Sequence, residues 1–241
     1  MFTGIVQGVA QLASIFDEEG VRTFVVKFSR GFTAGLKIGS SVSVDGVCLT
    51  VTRYASDCEV EFDVMHQSLL VTTLRDCLIG QAVNVERAAK EGAEIGGHPL
   101  SGHIDFAAEI QNVATFGNNK VLRIALPEQF APYVFSKGYI ALNGASLTVS
   151  DCDKVAGWFE VWLIPETRRA TVLDAKVSGD WLNVEIERVT QVVVDTVRAS
   201  VRESMGELRP LLESLLHERG IVLEELISAP IRTTHGLPRP Y

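Results

Sequence analysis

The sequence predicts a mostly β protein: two tandem six-stranded, Greek-key-like barrels followed by a C-terminal α-helix. Three observations carry this. The chain repeats itself, its short β-branched segments are separated by tight-turn signals, and a helical period begins where the second copy ends. Displaced by 98 residues, Ser43-Val44-Asp45-Gly46-Val47-Cys48-Leu49-Thr50-Val51 falls on Ala141-Leu142-Asn143-Gly144-Ala145-Ser146-Leu147-Thr148-Val149. At the same offset Thr3-Gly4-Ile5-Val6 falls on Ser101-Gly102-His103-Ile104. One inserted residue raises the offset to 99, and Val64-Met65-His66-Gln67-Ser68 then matches Leu163-Ile164-Pro165-Glu166-Thr167. Asn84-Val85-Glu86 likewise matches Asn183-Val184-Glu185. A register held across both halves is the mark of duplication.

Within each copy the segments around 41–53, 58–65 and 82–87 read as strands bounded by turn residues. Asp45-Gly46 and Asn143-Gly144 are hairpin signals, because both residue types tolerate positive φ. Closing such strands into a barrel removes the edges they would otherwise expose. The alternation lapses between Ala88 and Gly97, which divides the chain into an N-terminal barrel, residues 1–97, and a second barrel, residues 98–188. Beyond it, Val193, Val194, Val197, Val201 and Met205 recur at helical spacing, with Asp195, Arg198, Arg202 and Glu203 between them. The helical segment 189–227 thus begins with an amphipathic helix over 189–205, whose apolar face needs covering by the second barrel or by a neighbouring chain, with oligomerisation the expectation. Gly206 and Pro210 predict a break, residues 211–227 a second short helix with Leu211, Leu212, Leu215 and Leu216 on one side, and 228–241 an irregular tail.

Composition narrows the function. A net charge of −8 argues against a nucleic-acid partner, whose phosphates need neutralising. No apolar run approaches the roughly 18 residues of a membrane span, and Met1-Phe2-Thr3-Gly4 does not open a leader peptide. The four cysteines show no C-x-x-C spacing and, with the five histidines, no metal-ligand spacing. The expectation is a cytoplasmic protein that needs no metal.

The repeat, the opening Met1-Phe2-Thr3-Gly4-Ile5-Val6 and several motifs resemble the riboflavin synthase family. The telling segments are Gly46-Val47-Cys48-Leu49-Thr50-Val51-Thr52, Asn84-Val85-Glu86-Arg87-Ala88, Gly96-Gly97-His98-Pro99-Leu100-Ser101-Gly102-His103 and Leu163-Ile164-Pro165-Glu166-Thr167. The resemblance spans about residues 1 to 205. It implies a cofactor-free homotrimeric transferase that dismutates two molecules of 6,7-dimethyl-8-ribityllumazine. One molecule gives a four-carbon unit to the other, forming riboflavin and 5-amino-6-(D-ribitylamino)uracil. It also implies an active site between the N-terminal barrel of one subunit and the C-terminal barrel of the next.

Two copies of one ligand suit two similar pockets, and holding them together makes a bimolecular step effectively unimolecular. Donor and acceptor must still differ, so mismatches between the copies mark the chemistry: Cys48 against Ser146, Ile5 against His103, Ser41 against Tyr139. The resemblance places Ser41, Cys48, His103, Ser146 and Asn143 in the catalytic neighbourhood. Cys48 or Ser41 is expected to help a nucleophile add at C7 of one lumazine, while a hydroxyl or imidazole shuttles the acidic 7-methyl proton.

For binding, the resemblance points in the first barrel to Gly4-Ile5-Val6, Cys48-Leu49-Thr50 and Asp63-Val64-Met65-His66-Gln67-Ser68. In the second it points to Gly102-His103-Ile104, Ser146-Leu147-Thr148 and Trp162-Leu163-Ile164-Pro165-Glu166-Thr167, with Lys137 nearby. Two positions depart from the family pattern: Asn143 stands where Asp is usual, with Asp45 where Asn is frequent, and Met65-His66-Gln67-Ser68 lacks a Glu-Thr pair. An amide at 143 can orient or hydrogen-bond but not act as a base. The rival reading is a non-catalytic lumazine or flavin carrier, or antenna protein, on the same scaffold. Cys58, Cys77 and Cys152 read as small buried hydrophobes, Asn84 and Asn183 as residues of the fold, and His98 equally as a junction residue or a functional one.

Overall fold

The computed structural model describes residues 1–18, 20–217 and 219. The first barrel is built from β1 (Gly8–Glu18), β2 (Val21–Lys27), β3 (Ser41–Val44), β4 (Val47–Tyr54), β5 (Glu59–Val64) and β6 (Ala82–Arg87). It closes in the order β1-β2-β5-β4-β3-β6, all neighbours antiparallel. The second repeats it with β7 (Phe106–Phe116), β8 (Asn119–Ala125), β9 (Tyr139–Leu142), β10 (Ala145–Asp153), β11 (Trp158–Leu163) and β12 (Trp181–Ile186). Even the irregularities are duplicated: register shifts at Leu12/Ser14 and Val51/Arg53 recur at Ile110/Asn112 and Val149/Asp151. Bulges at matching places give both copies the same local bend. After β5 comes a short helix α1 (His66–Val71), and after β11 its counterpart α2 (Pro165–Ala170).

Each barrel is filled with its own side chains. Phe24, Val26, Phe62, Leu74 and Val83 pack the first, and Ile110, Leu122, Ile124, Phe159 and Leu182 the second. Strand alternation therefore decides what a ligand can meet. On β4, Val47, Leu49 and Val51 point inward while Cys48 and Thr50 face out, and on β10 Ser146 and Thr148 do the same.

The barrels meet through their β3–β4 and β9–β10 hairpins. Asp45 and Asn143 both take φ 45°, and the glycine after each also has positive φ. A Cβ on Gly46 would lie 2.7 Å from the backbone nitrogen of Gly144, and one on Gly144 3.0 Å from Gly46. Only glycine permits this approach at both tips. Around it, Asn84 Nδ2 donates to the Asn143 carbonyl (3.0 Å) and Asn183 Nδ2 to the Asp45 carbonyl (2.8 Å). Their Oδ1 atoms accept the N–H groups of Val172 (2.8 Å) and Thr73 (2.7 Å). Asn84 and Asn183 thus serve as a matched pair of barrel-to-barrel bridges.

Residues 1–192 form one compact unit and those from Val193 a second. The helix α3 (Arg188–His217) is continuous, so the break expected at Gly206 and Pro210 does not occur. A glycine and a proline disfavour a helix interior by about 1 and 3 kcal/mol respectively, a preference that can be overridden and did not terminate this helix. Residues 220–227 of the expected second helix and the tail 228–241 lie outside the described residues. No described helix is long and apolar enough to cross a membrane.

Candidate active site

Two outward-facing patches, one per barrel, gather the residues that the sequence singles out. In the first, Ser41 lies opposite Thr50 and Ser43 opposite Cys48 in the β3–β4 ladder. The N–H of Cys48 donates to the Gly102 carbonyl (2.8 Å), and a Cβ on Gly102 would meet the Cys48 Cβ at 2.6 Å. In the second, the N–H of Ser146 donates to the Gly4 carbonyl (2.8 Å), with the same close approach of 2.6 Å. Ile104 packs on the first barrel's core and Val6 on the second's.

These contacts run between the barrels. Gly102-His103-Ile104 joins the first barrel's Cys48, and Gly4-Ile5-Val6 joins the second barrel's Ser146. Each copy's leading segment reaches across to the other barrel, while a buried carboxylate of its own barrel anchors its start. Glu185 accepts from the Ser101 N–H (2.7 Å), the Ser101 hydroxyl (2.6 Å) and the Gly102 N–H (3.0 Å). Glu86 does likewise for the Thr3 N–H (2.6 Å), Thr3 hydroxyl (2.7 Å) and Gly4 N–H (3.1 Å). Burial pushes both carboxyls up, and these bonds oppose the push. The repeat match of Asn84-Val85-Glu86 with Asn183-Val184-Glu185 was the sequence signal for this pair of clamps.

The remaining candidates divide by orientation. Leu49, Val64, Leu147 and Leu163 belong to the barrel cores, so only their backbones can face a ligand. Ile5, Met65, Trp162, Ile164, Asp63, His66, Gln67, Pro165, Glu166, His103, Thr50 and Thr148 are exposed, with Ser68 and Thr167 half-buried. Thr23 donates its hydroxyl to Asp63 (2.7 Å), and Glu166 pairs with Arg169 (2.5 Å), which holds its carboxyl below the usual range. Phe116 packs at 5.6 Å from Trp162. Lys137 is exposed at φ 69°, where its counterpart in the first copy is Gly39 at φ 88°.

Asn143 stands apart from these patches. It is buried at the hairpin junction, its Oδ1 accepting the Asn183 N–H (2.8 Å), just as Asp45 Oδ1 accepts the Asn84 N–H (2.8 Å). Nothing in the repeat pattern points to the contacts His98 makes in the second patch: its Nδ1 lies 2.6 Å from the Ser146 hydroxyl and its ring stacks on Tyr139 at 5.0 Å. A cleft of about 720 Å³ between the barrels, lined by Arg75, Phe130, Lys176 and Trp181 among others, contains none of the candidate residues. Among the described residues no cluster of His, Cys, Asp and Glu could hold a metal ion.

The family model of the lumazine binding domain matches this chain twice, over residues 3–88 and 101–187. The chain belongs to the lumazine-binding, riboflavin synthase family. It is 45% identical over 198 residues to "Riboflavin synthase" of Escherichia coli K12, covering 82% of this chain and 92% of that one. It is 37% identical over 203 residues to "Riboflavin synthase" of Mycobacterium tuberculosis, covering 83% of this chain and all of the relative. Among solved structures it resembles LumP complexed with riboflavin, with a TM-score of 0.72, 26% identity, and coverage of 78% of this chain and 100% of that one. LumP complexed with 6,7-dimethyl-8-(1'-D-ribityl) lumazine gives 0.70 at 25% identity, with the same coverage. Each lumazine-binding match takes in the six strands of one barrel, and the second starts at Ser101, where the crossing segment begins.

Proposed function

We propose that this chain is a riboflavin synthase that dismutates two molecules of 6,7-dimethyl-8-ribityllumazine into riboflavin and 5-amino-6-(D-ribitylamino)uracil. The observation that carries this reading is the pair of outward patches. They share one frame, with Thr50 and Thr148 at equivalent exposed positions, yet differ at Cys48/Ser146, Ser41/Tyr139 and at the crossing residues His103/Ile5. A common frame suits two copies of one ligand, and unlike side chains suit unlike roles. The strand ends offer backbone N–H and C=O groups for the pyrimidinedione edge and hydroxyls for the ribityl chain.

Cys48 and Ser41 then assist nucleophilic addition at C7 of one lumazine, and His103 and Ser146 move the 7-methyl proton. The patches lie on open strand faces, so a second surface is needed to exclude water from them. That surface is a neighbouring subunit, brought by a trimer assembled through α3. Along α3, Val189, Val193, Val197, Val201, Met205 and Leu208 form an exposed stripe at helical spacing. No cofactor is required.

Replacing Cys48 or His103 by Ala tests the assignment: turnover falls at least about tenfold while lumazine binding is kept. Unchanged turnover in both variants would refute it. Retention of lumazine without conversion by the parent protein would favour a carrier. That rival draws on the likeness to LumP, but the synthase relatives are much closer in sequence, at 36–45% identity against 25–26%.

A further inference from the structure

His98 has no counterpart in the first copy, since it lies in the stretch that joins the repeats. It is buried at 2% exposure, stacked on Tyr139, with Nδ1 at 2.6 Å from Ser146 Oγ. Its other ring nitrogen, Nε2, is buried without a hydrogen-bond partner. Ser146 is enclosed from two sides: a Cβ on Gly97 would sit 2.6 Å from its Cβ and 2.9 Å from its hydroxyl, and one on Gly4 2.6 Å from its Cβ. The hydroxyl is therefore held by one strong bond in a space that allows little rotation. In the first patch the N–H of the equivalent Cys48 donates to the Gly102 carbonyl in the same way, and among the described residues no imidazole hydrogen-bonds to its thiol.

From these contacts we propose that His98 is a positioning residue that fixes the Ser146 hydroxyl and so makes the second barrel's patch chemically unlike the first. In the riboflavin synthase reading, on which this rests, His98 directs one Ser146 lone pair or proton toward the ligand without touching it. Burial holds the imidazole below its usual pKa, against the pull of the nearby Glu187 carboxylate, so it is neutral at pH 7. A neutral ring offers one donor and one acceptor, and either tautomer completes the bond to a hydroxyl. The unpartnered Nε2 is a polar cost of placing an imidazole there, which an apolar ring stacked on Tyr139 would not carry.

Two substitutions separate positioning from packing and from proton acceptance. His98→Asn places an amide near the former Nδ1 and keeps a bond to Ser146 without a titratable ring. His98→Phe keeps the ring stacked on Tyr139 and removes the bond. Steady-state turnover of 6,7-dimethyl-8-ribityllumazine is expected to lose at least about tenfold in kcat for His98→Phe, with KM within about threefold, and to stay within about threefold of the parent for His98→Asn. Parental kcat in His98→Phe, or an equal loss in both variants, overturns the proposal. Long-range ¹H–¹⁵N spectra of the imidazole provide a readout independent of catalysis. The His98 Nδ1 signal should move in Ser146→Ala, and an unmoved signal also overturns the proposal. A parent protein that converts no lumazine would sink the synthase reading, while the spectra would still decide whether His98 holds Ser146.

Discussion

Lys137 adopts φ 69°, a conformation that its counterpart Gly39 takes freely. A side chain there costs about 1 kcal/mol, and the lumazine-binding role proposed for the second patch would give that cost a purpose in its ammonium group. Lys137→Gly is expected to raise stability by about that amount in urea titration and to weaken lumazine binding. Asp45 tells a different story. Burial pushes its carboxyl from 3.8 up to about 7, against the Asn84 N–H, the charge of Lys176 and the amide of Asn143. That amide favours the charged acid by proximity, although its Nδ2 makes no bond of hydrogen-bond geometry among the described residues. Because the folded pKa lies above the unfolded one, the stabilising form is the protonated one. Its contribution is complete below about pH 4 and is lost as pH rises through 7, by up to about 4 kcal/mol. Asp45→Asn should therefore match the parent in denaturant at pH 4 and exceed it at pH 8. The sequence made Thr50, Cys48 and Ser146 legible through the repeat. It could not show that position 143 is buried, because nothing local reveals that two hairpin tips meet.

Among elements, the paired hairpins and the crossing segments hold the two barrels as one unit. Asn84 carries two of the bonds involved, both from the first barrel to the second. Asn84→Ala leaves the Asn143 carbonyl and the Val172 N–H buried without these partners, and is expected to cost about 2–4 kcal/mol by denaturant unfolding. A cost near zero would mean that the interface is held elsewhere. The strands themselves were legible because alternation and turn residues are local properties, and the duplicated bulges follow from the same source. The crossing was not. Similarity assigns Gly4-Ile5-Val6 to the first copy, and Glu86 anchors its start there, whereas the bond from the Ser146 N–H to Gly4 and the packing of Val6 place it against the second barrel. Helix α3 was misread at Gly206 and Pro210 because propensity is a weak local preference.

For the molecule as a whole, the trimer proposed above would meet two demands at once, covering both the open patches and the exposed valine stripe with surfaces of other copies of the chain. A charge placed in that stripe tests whether the demands are linked. Val197→Glu should shift sedimentation from trimer to monomer and abolish turnover, with lumazine binding to the isolated chain weakened far less. Full activity in a monomer would separate catalysis from assembly. The central claim is that the two unlike patches accept the same ligand for opposite roles. Its most direct measurement is the stoichiometry of conversion when purified protein is incubated with 6,7-dimethyl-8-ribityllumazine alone. Two lumazines should disappear for each riboflavin formed, with one 5-amino-6-(D-ribitylamino)uracil released and nothing else added. Lumazine bound and recovered unchanged would contradict it.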